Sequence, residues 1–381
     1  MTSPVRYDVT VVGGGPAGSS CATMLAEHGL HVLLLERAQF PREKICGDCL
    51  NPRIWPLLET LGIATRVREC IAAPIGSVVI RNSDGTELTV ALQCEETKPF
   101  FAMRRSILDD LLLRRARKAG TSVMESTKVV DIRWGDGWSI TARTDGDQED
   151  RAFVCDDLVA ADGRNSRVAR WVAHAQLAHA RWSTRQLDQP DRVGVQWHTR
   201  RQPSVGSDLE MLLFDKGYCG IVNVDSGIAN IAMVVDSGIA QFALSDMSLF
   251  LEKTLWKNAG FRKRFRDVNP LDVVRTSSPI TPRSSNRASP HARFIGDAQQ
   301  IVEPFTGQGV YFAVRDGVCA AWDMLRERKR TPGFERPAPS SRFWVNRVFS
   351  PVLRDTRLAQ QMVELAVRHS FLLPLVTRRV F

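Results

Sequence analysis

"TVVGGGPAGSSCATMLAEHGLHVLLLER" (residues 10–37) is the stretch on which the fold turns. Residues 7–12 form a short apolar run rich in β-branched side chains, and residues 16–28 then carry Ala17, Cys21, Met24 and Leu25 at helical spacing. The glycines therefore stand where a strand becomes a helix. In that position Gly13 permits a tight turn, Gly15 lets the backbone approach a pyrophosphate, and Gly18 lets the helix pack closely on a sheet. The helix N-terminus, with Ala17 in its first turn, would face the phosphates. A second apolar run, "HVLLLER", ends in Glu36 and Arg37. It lies about twenty residues beyond the glycines, where an acid accepts a hydrogen bond from a ribose hydroxyl. Strand, glycines, helix, strand and acid in that order predict a dinucleotide cradle.

The 381 residues, 44% of them hydrophobic, suffice for one large core or two subdomains sharing an interface. A formal charge of +9 is spread along the chain, which gives no localised polyanion surface and no expectation of nucleic acid as a partner. No apolar run approaches the ~18 residues that span a bilayer. No signal-peptide pattern is read at the N-terminus, so a cytoplasmic location is expected. The eight cysteines are scattered through apolar surroundings and read as reduced core residues. No zinc, nucleotide-triphosphate or repeat motif is present.

Two later segments bear on which dinucleotide is held. "LVAADGRNSRVAR" (158–170) is a strand followed by Asp162 and Gly163, and "ARFIGDAQQIVEPFTGQGVYFAVRDGVCAA" (292–321) is a strand, Gly296 and Asp297, a loop, and a helix start. An NAD domain has no need of these further sets. Together with the glycine motif they resemble the superfamily of FAD-dependent reductases and hydroxylases that includes geranylgeranyl reductases and aromatic-ring monooxygenases. The resemblance implies FAD as cofactor, with the first motif on its ADP half and Asp297 on the ribityl or ribose part. It gives Asp162 and Gly163 to FAD and to an NADPH or NADH donor. Pro304, Gly307, Gly309 and Val310 begin a helix whose free N–H groups would stabilise negative charge on the reduced flavin.

"FPREKICGDCLNPRIWPLLETLGI" (40–63) is similar to the cofactor-proximal loop of geranylgeranyl reductase-like proteins, which places Arg42, Cys46 and Gly47 at the flavin. The Gly-Glu-Ser and Trp-x-Trp-x-Ile-Pro segments usual in flavin halogenases are absent. Residues 102–120 resemble the superfamily's Arg-x-x-Leu-Asp helix, with Arg105 near the flavin; the alternative is an amphipathic helix turning Ile107, Leu108, Leu111 and Leu112 inward. Cys46 and Cys49 form a C-x-x-C whose spacing also suits a redox dithiol. The resemblance supports Cys46 alone.

Between residues 182 and 278 short apolar runs (193–199, 209–214, 218–224, 228–236) separated by Gly, Asp and Ser predict an antiparallel sheet over the flavin. The expected fold is α/β: a Rossmann-like FAD-binding domain, an inserted antiparallel β-sheet substrate domain and a C-terminal helical tail. FAD-binding parts are expected at 1–75, 101–175 and 281–330, substrate-sheet strands at 76–100, the substrate domain at 176–280, and a Pro-rich linker with C-terminal helices at 331–381. The tail mixes apolar residues with Arg368, Arg378 and Arg379, which suits packing on the body or peripheral contact with an anionic membrane.

The expected activity is reduction of a C=C bond in a lipophilic, isoprenoid-like small molecule with hydride from NADPH or NADH. Cys46 and Tyr218 are the candidate catalytic residues. The same scaffold could serve a monooxygenase acting on an aromatic or polyketide-type substrate, or a flavoprotein that modifies a partner protein. Tyr218 is the one residue retained from the Tyr-x-Trp-x-Phe-Pro-Lys strand of archaeal geranylgeranyl reductases.

Overall fold

A computed structural model describes residues 5–71, 74–92, 95–174, 192–200, 208–265, 268–278, 280, 283–284, 291–338 and 356–368. The apolar run at the N-terminus forms the strand Val5–Val12, which lies in the middle of a parallel sheet. Its neighbours are Val32–Leu35 on one side and Arg151–Ala160 on the other, and Ser122–Met124 extends the first side. Ala292–Phe294 adds in parallel to the far half of Arg151–Ala160. An antiparallel hairpin, Thr127–Trp134 with Trp138–Thr144, covers the near half.

Val9, Val11 and Val32 through Leu35 are almost wholly buried because both faces of this sheet are covered. One face packs on the helices Pro16–Glu27, Arg105–Lys118 and Gly309–Glu327. The other packs on the hairpin and the helix Val168–His174.

The predicted middle sheet is present. Its strands run in the order Arg275–Ser277, Arg192–Arg200, Ile228–Asp236, Gly217–Asp225, Leu209–Phe214, Ser77–Arg81 and Glu87–Ala91. All pairings are antiparallel except Leu209–Phe214 with Ser77–Arg81. One face is closed by the short helices between residues 237 and 265, around Trp197, Phe250 and Phe265. On the other face Ala359 and Val363 of the helix Thr356–Arg368 pack with Val78, Leu88 and Met211. A three-stranded patch, Cys49–Leu50, Phe100–Ala102 and Pro74–Ile75, joins the two layers. The site lies at that junction.

The helix Arg105–Lys118 turns Arg105 towards the cleft and is rotated from the face of the amphipathic alternative. Leu108, Leu112 and Leu113 are buried together with Arg105 and Asp109, whereas Ile107 is 38% exposed. An Arg–Asp pair at i, i+4 neutralises itself, so it can face the interior and displace an aliphatic side chain outward.

Candidate active site

The glycine loop is held from below by backbone. Gly13 N–H donates to the Leu35 carbonyl (2.8 Å), and Gly13 takes a φ of +107° with its Cα against the Ala161 carbonyl, where a β-carbon would come within 2.4 Å. A β-carbon on Gly18 would lie 1.9 Å from the Gly13 carbonyl oxygen. Gly15 differs: the nearest atom to a methyl there would be an Arg42 nitrogen at 3.7 Å, so its side opens to a cleft. Ser19 N–H to the Gly15 carbonyl (2.9 Å) is an early intrahelical bond. The amides of Ala17 and Gly18 precede it and have no acceptor within the helix. Glu36 is buried and accepts from Gly14 N–H (2.6 Å) and Ala38 N–H (2.8 Å), which fixes the loop against the end of the second strand.

A second helix start faces the same cleft. Phe312 N–H bonds the Gln308 carbonyl (3.0 Å), so the amides of Gly309, Val310 and Tyr311 precede the helix's own ladder. Pro304, Gly307, Gly309 and Val310 line the cleft, and a methyl on Gly309 would meet nothing within 4 Å among the described residues. What brings the two helix ends together is Gly317, whose β-carbon would sit 2.3 Å from the Ala17 carbonyl. The helices Pro16–Glu27 and Gly309–Glu327 cross backbone to backbone there. Asp316 accepts from Gly296 N–H (3.0 Å) and ties the third glycine-acid turn to the same helix.

Asp297 lines the cleft, with Arg164 Nη2 at 3.3 Å from its Oδ2. Gly163 lines it too, but Asp162 turns its Oδ2 onto the N–H groups of Arg167 (2.7 Å) and Val168 (3.1 Å) and caps the following helix. Lys44 enters the cleft from the loop after the second strand. Burial, reinforced by Arg105, lowers its pKa to about 8. A lysine depressed in this way costs stability while it is charged, and the cost disappears as pH rises through about 8 towards the ordinary lysine value. Denaturant melts of the cofactor-free protein should show stability rising over that window, and Lys44→Met should flatten the rise.

The loop 46–49 forms one wall. Cys46, Gly47 and Cys49 all line the cleft, and Arg105 beside them is held by two bonds of 2.8 Å to Asp109. Burial opposes the guanidinium charge, but Asp109 outweighs it and holds the arginine above its ordinary pKa. Arg105 also bonds the Cys46 thiol. Arg42 pairs with Asp109 (3.3 Å) behind the glycine loop. Burial raises the Cys46 pKa and pushes that of Cys49 up to about 12. These are protonated thiols at neutral pH, the opposite of an activated dithiol. Cys49→Ser should leave FAD affinity and turnover within about twofold, as expected where no thiolate is used; loss of turnover with FAD retained would restore the dithiol reading.

The residues present fit FAD. Two uncapped helix ends, an acid and open space at Gly15, Gly47 and Gly309 face one cleft, as a long anionic nucleotide requires. Residues 6–187 match the FAD binding domain family. Over 331 residues the chain is 28% identical to a menaquinone reductase of Mycolicibacterium smegmatis, covering 83% of this chain and 76% of that one. It is 24% identical to a digeranylgeranylglycerophospholipid reductase of Methanocaldococcus jannaschii, covering 82% and 75%. The fold matches the solved myxobacterial chondrochloren halogenase CndH with a TM-score of 0.72 at 20% identity, covering 85% and 76%. The chain is an FAD-dependent oxidoreductase.

In this oxidoreductase Tyr218 stands off the cleft wall, buried behind the loop that carries Pro304. Its hydroxyl donates to Glu303 Oε1 (2.8 Å), and Arg192 holds both oxygens of the same carboxylate (3.0 and 3.2 Å). Burial, with Glu303 adding to it, raises the phenol well above its ordinary pKa. The geometry gives Tyr218 a supporting role, not a proton-donor position. Arg37 is exposed and does not line the cleft. Lys44, Glu303 and Gly317 also shape the site, and no motif in the sequence marks them. Lys44 stands in a quoted loop, but its importance comes from burial, which has no local sequence signal.

Proposed function

We propose that this FAD-dependent oxidoreductase reduces a C=C bond of a lipophilic, isoprenoid-like molecule with hydride drawn from NADPH or NADH. The observation that carries this reading is the position of Cys46, whose sulfur is bonded by Arg105 in a cleft wall that also presents Ile45, Ile280, Ile301 and Val302. Bound FAD would supply hydride transfer. The aliphatic wall would exclude water and hold an apolar chain, as small-molecule pockets at domain junctions commonly do. Cys46 Sγ, fixed by Arg105, would hold the proton that the second carbon needs, and solvent would return it.

The names of the menaquinone and digeranylgeranylglycerophospholipid reductases favour the same chemistry. Peripheral membrane contact is part of the proposal. Leu358, Met362 and Leu365, at i, i+4 and i+7 of one helix, are 47%, 45% and 57% exposed, an apolar stripe suited to a membrane surface that holds such substrates.

The test is anaerobic incubation of purified protein and FAD with NADPH or NADH and either menaquinone or the digeranylgeranyl lipid, followed by mass spectrometry. A product heavier by two hydrogens supports the reading. Flavin reduction without such a product, and an oxygenated aromatic product in air, would replace it with the monooxygenase reading.

A further inference from the structure

Outside the cleft wall, the middle sheet grips the cofactor-proximal loop through a buried polar cluster. His198, fully buried on the strand Arg192–Arg200, has a carboxylate at each ring nitrogen: Asp272 Oδ2 at 2.8 Å from Nδ1 and Asp48 Oδ2 at 3.2 Å from Nε2. His198 N–H also donates to Asp272 Oδ1 (2.9 Å), and Arg275 holds Asp272 from the solvent side (2.8 Å). On the next strand Asn230 donates to the Cys46 carbonyl (3.0 Å) and accepts from Gln196 (2.8 Å). Two neighbouring strands therefore hold residue 46 by its backbone and residue 48 by its carboxylate.

Asp48 is strained and buried. It takes a left-handed φ of 54°, is 2% exposed, and its Oδ1 has no hydrogen-bond partner among the described residues. Such a conformation is costly for a residue with a β-carbon and persists where surroundings enforce it. The enforcing contacts are Met103 N–H to the Asp48 carbonyl (2.8 Å) and the His198 ring.

A neutral imidazole has one N–H and can satisfy one of two flanking carboxylates. Both contacts are made only if the ring carries both protons or Asp48 carries one. Either way the cluster holds a proton more than a neutral ring between two carboxylates. The charges facing it are Asp48, Asp272, Arg104 and, beyond them, Arg275, Arg105 and Glu43. Burial works against the charged ring, yet its two carboxylate bonds outweigh burial and Arg104 and raise its pKa.

We propose that His198 is a positioning residue whose extra proton clamps Asp48, and that loss of this proton releases the Cys46–Gly47–Asp48 wall of the FAD cleft. A neutral ring that keeps its one proton on Nδ1, where Asp272 is closer, turns the Nε2 lone pair, which the Gln196 amide also faces at 3.5 Å, onto the Asp48 carboxylate and removes the restraint on it. The clamp itself is independent of the substrate reading; only its effect on cofactor rests on FAD occupying this cleft.

The experiment compares full-length wild type, His198→Gln and Asp272→Asn at about pH 6 and about pH 9, on either side of an imidazole's range. One readout is iodoacetamide labelling of Cys46, resolved by peptide mass spectrometry; the other is FAD affinity of the cofactor-free protein. Taking variant-to-wild-type ratios at each pH removes thiol ionisation and Lys44 titration from the comparison. His198→Gln should label about tenfold faster and bind FAD about tenfold more weakly at the lower pH, with both ratios approaching one at the higher. Ratios of one at both pH values, or equal defects at both, overturn the clamp. Should His198→Gln fail to fold, Asp272→Asn carries the test: with one carboxylate left, a neutral ring can donate to Asp48 at either pH, so labelling and FAD affinity should match wild type at the lower pH and keep those values relative to a loosened wild type at the higher, whereas a ratio of one at both overturns the clamp. Labelling that follows this pattern in a protein that never binds FAD would sink the cofactor assignment and leave the clamp standing.

Discussion

Asp297→Ala is expected to weaken FAD binding roughly ten- to hundredfold, the loss of one charge-assisted hydrogen bond of about 1.5 to 3 kcal/mol. The carboxylate stands in the cleft at the turn after the strand Ala292–Phe294, between the two helix starts. Its Arg164 contact is long and part-solvated, so losing that contact should cost the fold little. The backbone around it is fixed independently, by Gly296 N–H on Asp316 and Ile295 N–H on the Ala160 carbonyl (3.0 Å each). Cofactor affinity and stability should therefore separate. Titration of cofactor-free variant with FAD, beside its thermal melt, checks this; an unchanged dissociation constant would remove Asp297 from the cofactor site.

The second large effect is expected at the glycines, and it differs between two that lie three residues apart. Gly18→Ala places a β-carbon against the Gly13 carbonyl at 1.9 Å, a contact that only backbone movement can relieve. Overpacking of this kind costs about 1 to 3 kcal/mol, and here it falls on the loop that carries the cradle, so the melting temperature and FAD binding should fall together. Gly15→Ala meets only an arginine tip at 3.7 Å and has an ordinary backbone, φ −70°. That variant should melt close to wild type while its methyl occupies the path of the pyrophosphate, with FAD binding down about tenfold or more. Equal melting temperatures for both variants would show that Gly18 is not the close-packing glycine.

Much of this site was legible because its signals are local. A strand, a turn with φ > 0 and a helix N-terminus leave a glycine pattern, and three such turns at 13–18, 162–163 and 296–309 converge because the strands before them are parallel neighbours. The middle strands were legible for a similar reason, since short apolar runs between turn residues have few other uses. What was not legible depends on partners distant in sequence. His198 sits in "VQWHT" with nothing local to mark it, and its carboxylates come from 150 and 74 residues away.

Tyr218 illustrates the converse. It resembles a family position, but Glu303, 85 residues on, takes its hydroxyl and turns it into support for the loop 304–309. Asp162 likewise reads as a cofactor residue, while its carboxylate satisfies a helix end. The amphipathic alternative places Ile107 inside because aliphatic spacing alone cannot register that Arg105 and Asp109 go inward as a pair.

The central claim is that one cleft, walled by the glycine loop, the Asp297 turn, the second helix start and the Cys46 loop, holds FAD. Stripping the purified chain of cofactor and titrating it with FAD while following visible absorbance and flavin fluorescence tests this most directly. Saturable uptake of one FAD per chain, weakened about tenfold or more in Asp297→Ala and in Gly15→Ala, is the predicted result. A chain that stays colourless through reconstitution, or takes up FAD equally well with both substitutions, would contradict the account.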